Sequence, residues 1–237
     1  MRTMTLAAIA VLVGWSLVAA SVQSGDVKTE SKKVPVPDVA LKDMPRMKDP
    51  DAVMKKWQIE VVWSRPNAGL VSRGINGFDA WLLSPEMIAA LANARSKKLV
   101  LHDLPAQELY TQVRDFYYGP LTTAFYGEKI GFLVTIRVEF DINHAEDISS
   151  IWDFRLITEK GKQFKPARVV PQDTLFNMSY DPFRVGTWAK TYGLVFDNTD
   201  PDTKKPLINY DTHEISLMIG SDMGKGIARY QFDSKLR

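Results

Sequence analysis

The stretch GFLVTIRVEFDINHAEDISSIWDFRLITEKGKQFKP (131–166) decides the fold. In its first ten residues Phe132, Val134, Ile136, Val138 and Phe140 share one face, while Leu133, Thr135, Arg137 and Glu139 share the other. That period of two belongs to a half-buried β-strand, because successive side chains of an extended chain point to opposite sides. The polar run 141–147 interrupts the pattern, and Trp152, Phe154 and Leu156 restart it. Glu159-Lys160-Gly161-Lys162 reads as a turn, since Gly161 can take a positive φ without a Cβ clash.

Further short strands follow from this pair. Residues 164–170 read as one, and Trp188, Tyr192, Leu194 and Phe196 lead another that closes at DNTDPD (197–202). Ile215, Leu217 and Ile219 mark a third, and residues 227–232 a last one with Tyr230 and Phe232 inward. Upstream, Trp57, Ile59, Val61 and Trp63 alternate with Gln58, Glu60 and Val62 as an extra strand that stops at Arg65-Pro66, and 67–77 reads as loop. Ser84-Pro85 opens a helix with Ser84 as N-cap and Pro85 at the first helical position. Leu109, Val113 and Phe116 mark a second helix, starting near Leu104-Pro105 and closed by Gly119-Pro120. Seven or eight short strands with turn signals about every ten residues predict a mainly β chain, an antiparallel β-sandwich with an N-terminal extra strand and a two-helix insertion at about 84–118.

The first fifty residues are of a different kind. Arg2, the apolar run 6–13 and Val18-Ala19-Ala20 form a signal peptide with cleavage expected after Ala20. The uncharged stretch 3–25 is also of the length of an uncleaved anchor, which is the competing reading. Residues 21–50 are polar and punctuated by prolines, so they are expected as a flexible linker before a single domain over 51–237.

Composition narrows the chemistry. The chain has no cysteine, which excludes thiol catalysis, Cys-based zinc sites, disulfides and a cysteine-linked lipid anchor. Without the signal peptide, 29 basic residues face 28 acidic ones, interleaved with no basic stripe, which argues against a nucleic-acid partner. His102, His144 and His213 have no metal-pair spacing. No G-x-S-x-G elbow is present, and the glycine-rich run 220–226 leads into a strand rather than a helix, so it reads as a hairpin loop.

Two candidate sites remain. Asp197, Asp200 and Asp202 put hard oxygens on one short loop, as calcium requires, although the same residues also make an ordinary turn. No other cofactor is indicated. The aromatic cluster around Tyr110, Tyr117 and Tyr126 is either packing of the helical insertion or a cleft for an apolar or sugar-like ligand.

The succession FLVTIRV (132–138), WDFRL (152–156), Gly161 with Phe164 and Pro166, YGLVF (192–196) and ISLMI (215–219) resembles the immunoglobulin-like domains of exported bacterial proteins of unknown function, over about residues 130–235. The resemblance implies an immunoglobulin-like sandwich and brings no catalytic residues. The expected function is that of a non-enzymatic accessory or protein-interaction domain of the bacterial envelope, periplasmic or secreted, with an envelope or extracellular protein as partner. A small-ligand binder using the aromatic region 110–126 is the alternative, and a hydrolase assembled from separate loops is a third reading. A membrane association is expected only if the N-terminal segment stays uncleaved.

Overall fold

A computed structural model describes residues 27–36, 44, 47–62, 77–98, 106–118, 128–139, 152–171, 187–209, 211–221 and 224–236. The strands are β1 (Lys28–Pro35), β2 (Gln58–Val62), β3 (Gly77–Leu82), β4 (Lys129–Glu139), β5 (Asp153–Thr158), β6 (Gln163–Phe164), β7 (Arg168–Pro171), β8 (Thr187–Asp197), β9 (Glu214–Ser221) and β10 (Gly224–Asp233). Three helices accompany them: α1 (Pro50–Trp57), α2 (Pro85–Lys98) and α3 (Ala106–Tyr118). One sheet has the order β1-β10-β9-β5-β6 and the other β2-β3-β4-β8-β7.

The inward positions of both sheets form one core. Phe132, Val134 and Ile136 of β4 are buried with Tyr192, Leu194 and Phe196 of β8, opposite Phe154, Leu156, Ile215, Leu217 and Tyr230 of the other sheet. The ring of Phe132 meets Phe196 edge-on at 5.9 Å and Tyr230 at 5.8 Å. Aromatic pairs at such distances add to simple burial, and truncating a ring of this kind to alanine costs about 3–5 kcal/mol. The Tyr230 hydroxyl donates to the carbonyl of Ala80 at 2.7 Å, a hydrogen bond from one sheet to the other. Burial raises the Tyr230 phenol well above its ordinary pKa, which keeps the donor protonated.

The two-helix insertion lies where the sequence predicts it, between β3 and β4. Ser84 Oγ accepts from the Met87 N–H at 3.1 Å and caps α2. Met87, Ile88, Ala89 and Ala92 of α2 and Tyr110 of α3 enter the core.

Four elements differ from the expectation. Residues 28–35, expected within a flexible linker, form β1, which pairs in parallel with β10 from Lys28↔Gly226 to Pro35↔Asp233. An outer strand is held by its backbone ladder, so it needs little apolar content, and lysines are common there because they discourage further pairing. The sheets are therefore not purely antiparallel. Residues 50–57, of which Trp57 alone was expected in a strand, form α1: Asp49 caps it by accepting from the Ala52 N–H at 3.0 Å, with a proline at its first turn. Trp57 closes this helix, while Ile59 and Val61 keep the expected inward face of β2. Residues 77–82 form β3, which the sequence pattern hides because both its faces are covered and one carries Asp79. At Gly77 a Cβ would lie 2.1 Å from the Val61 carbonyl oxygen, so only glycine allows this approach of β2 and β3. Residues 164–170, expected as one strand, split into β6 and β7, which belong to different sheets. The chain changes sheet between them at Lys165, Pro166 and Ala167.

Among the described residues no helix is long and apolar enough to cross a membrane.

Candidate functional site

The β5–β6 turn and the segment following β8 enclose a cleft of about 570 Å³ at one end of the sandwich, within the range of small-ligand and peptide pockets. Both walls are built by local turn chemistry. Gly161, at φ 75°, donates its N–H to the Thr158 carbonyl at 2.8 Å, and the Thr158 N–H donates to the Lys162 carbonyl at 3.0 Å. On the other wall Asn198 is buried and ties the segment at both ends. Its N–H donates to the Glu128 carbonyl at 2.8 Å, and its side-chain oxygen accepts from the Ile208 N–H at 2.9 Å. Asp200 Oδ1 accepts from the N–H groups of Asp202 (2.9 Å) and Thr203 (3.4 Å), the side-chain turn that aspartate favours.

One cation joins the two walls. Lys162 Nζ donates to Asp200 Oδ1 at 2.7 Å and Oδ2 at 2.9 Å, and also to Asp202 Oδ2. The ammonium pulls the Asp200 carboxyl down to about 2, helped by the backbone donors, and the two carboxylates raise the Lys162 pKa in return. The ammonium also lies 5.4 Å from the centroid of the Phe164 ring, which forms part of the cleft floor with Leu207. A second tie comes from Glu159, whose Oε1 accepts from the backbone N–H groups of His213 and Glu214, the latter at 2.6 Å.

The structure divides the three residues of the calcium set. Asp200 and Asp202 do converge, but on Lys162, so a side-chain ammonium stands where the metal was expected. Asp197 ends β8 opposite Lys129 of β4 and is not part of the cluster. No group of three potential metal-binding side chains occurs among the described residues.

The aromatic region divides differently. Tyr110 is wholly buried, with the Arg114 guanidinium 5.6 Å from its ring centroid, so it packs in the core. The side chain of Tyr117 and all of Tyr126 lie outside the described residues, as do His102 and His144. His213 is exposed beside the cleft, where its backbone rather than its imidazole contacts Glu159.

A second polar cluster left no motif in the sequence. On the outer face of β2, β3 and β4, Gln58 Nε2 donates to Asp79 Oδ1 at 2.8 Å and Arg137 Nη1 lies 3.3 Å from Asp79 Oδ2. Arg137 Nη2 also donates to Glu60 Oε1 at 2.6 Å. Burial raises the Asp79 pKa despite the Gln58 hydrogen bond and the Arg137 charge, both of which favour the carboxylate. Pairing of Glu60 with Asp79 in the β2–β3 register is what assembles the group, and the only signal for it was an acid inside an otherwise apolar six-residue run.

Compared with known proteins, the chain matches no family model, no curated protein and no solved structure.

Proposed function

We propose that this chain is a non-enzymatic, exported accessory module of the bacterial envelope that meets a protein partner at the cleft end of its sandwich. The observation that carries the reading is how the cleft uses its ionisable groups. Lys162 and Asp200 have shifted pKa values because they hold each other, and Glu159 is spent on two backbone donors. Shifted groups of this sort belong to structural ion pairs, not to acids and bases poised for proton transfer. They stiffen two loops into a preformed surface, which lowers the ordering cost of binding a partner.

The scaffold we propose is immunoglobulin-like. Taking β3 as strand A and β4 to β10 as B, C, C′, D, E, F and G, one sheet reads β2-A-B-E-D and the other β1-G-F-C-C′, each with one added outer strand. Trp152 is buried immediately before the strand that corresponds to C, the strand that carries the core tryptophan in that fold. Export follows from the signal-peptide pattern in residues 1–20, which gives a periplasmic or secreted protein.

Lys160 and Lys205 are exposed at the cleft and can be reversed without touching the Lys162 cluster. The test is chemical cross-linking in envelope extracts with the wild type and the K160E/K205E variant. The expected result is a cross-linked protein that the variant loses at unchanged melting temperature. Equal cross-linking by both proteins, or none by either, overturns the cleft as the partner surface.

A further inference from the structure

Strand β1 is attached to the domain in a way that any copy of the chain could supply. Its eight residues pair in parallel with β10, so no hairpin joins the two strands and no turn fixes them to one chain. Lys28, Thr29, Glu30 and Ser31 are exposed, and within the strand Val34 is the hydrophobic side chain that joins the core cluster. Lys32 lies along the inward side, where its ammonium donates to the carbonyls of Lys55 (2.6 Å) and Gln58 (3.0 Å) at the end of α1. A cation at a helix C-terminus satisfies carbonyls that lack helical partners. Both contacts, like the ladder itself, are made to main-chain atoms.

The chain after the strand returns to the body at Met44, whose N–H donates to Gln107 Oε1 at 2.8 Å on α3. Residues 36–43 therefore connect β1 to a fixed point, and eight residues extend to about 26 Å. The connection is long enough to carry β1 either to its own β10 or to the β10 of an adjoining copy. Without β1, the β10 edge would offer an open ladder, the situation that leads to pairing between chains.

We propose that β1 is exchanged between two copies of this chain, each giving its Lys28–Pro35 strand to the β10 edge of the other. Every contact of the closed form is then kept, and the closed and exchanged forms differ chiefly in the entropy of association and in the path of 36–43. The interface is isologous, and it is separate from the cleft.

The absence of cysteine makes the test direct. Thr29 stands opposite Ile227 and Lys33 opposite Gln231 in the register, so cysteines at either pair fall within disulfide reach. The T29C and I227C chains are mixed, incubated at high concentration and oxidised, then compared with a mixture of T29C and K205C. Exchange predicts covalent two-chain product at least tenfold above that control, and the same from K33C with Q231C. The T29C/I227C double variant, oxidised when dilute, should close within one chain. Closure of the double variant together with mixed product no higher than the control overturns exchange. Failure of the T29C/I227C and K33C/Q231C double variants to close overturns the register on which it rests.

Discussion

The domain holds two clusters in which carboxylates share one cation, and they respond to their surroundings in opposite senses. In the cleft, Asp200 and Asp202 meet Lys162 in contact with water, and the pairing drives the Asp200 carboxyl down to about 2. On the sheet face, Asp79 and Glu60 meet Arg137, yet the Asp79 pKa is raised because burial outweighs the guanidinium and the Gln58 amide. The contacts differ too: Asp200 accepts from Lys162 at 2.7 and 2.9 Å and from two backbone N–H groups, whereas Asp79 accepts from Gln58 and lies 3.3 Å from Arg137. Desolvation decides the sign, since a charge taken out of water loses more than a partly exposed cation at 3.3 Å returns.

The largest consequence falls on the sheet face. Arg137→Met keeps the length and apolar stem of the side chain but removes the cation from a buried acid. Breaking a buried pair from one side is far costlier than losing an exposed one, so unfolding stability should drop by about 3 kcal/mol. Chemical denaturation at neutral pH measures this, and a loss below about 1 kcal/mol would mean that Asp79 does not depend on Arg137. Asp79→Asn is the gentler change, since the amide oxygen can still accept from Gln58. It should cost less than about 1 kcal/mol at neutral pH, because the penalty of burying a charge disappears along with the ion pair.

Acid titration separates the clusters further. A carboxyl with a raised folded pKa binds its proton more tightly in the folded state, so the Asp79 contribution moves toward greater stability as pH falls through that pKa. Asp200 does the reverse: its contribution is full above the unfolded value of 3.8 and is lost as pH falls through about 2. Relative to wild type, Asp79→Asn should lose ground progressively as pH is lowered from 7 toward 4. Asp200→Asn should be at its greatest disadvantage above pH 4 and regain wild-type stability toward pH 2. Parallel pH profiles for the two variants would show that one environment, not two, governs both acids.

The same contrast explains what could be read in the sequence. The strands around Phe132, Phe154 and Tyr230 have one buried and one more open face, which writes a period of two into the chain. Ser84-Pro85 and Gly161 carry local backbone chemistry, and the structure uses both as expected. Strand β3 is covered on both sides and so loses its alternation, whereas β1 is a polar outer strand defined by a ladder to residues almost two hundred positions later. The start of α1 at Asp49-Pro50 falls where the sequence reads as linker, and the alternation from Trp57 onward masks its end. At the site, the turn-forming role of Asp200 is local and was visible. Its cation is 38 residues away, and Glu159 reaches donors more than 50 residues away. Such partners follow from the packing of β5 near the segment after β8, which no local pattern encodes.

The smallest expected effect concerns calcium, and it tests the role given to Lys162. An ammonium already bound to both carboxylates should leave the wild-type melting temperature unchanged at millimolar calcium. Lys162→Ala frees the two carboxylates, but two acids supply too few of the six to eight oxygens that calcium requires. The variant should therefore also melt without a calcium response, and its own loss of stability should be slight, as for exposed ion pairs generally. A calcium-dependent rise in the variant alone would show that the loop is a cation site held closed by its lysine. A rise in the wild type would mean that Lys162 leaves the carboxylates in solution, and that the cleft walls are joined by a metal instead.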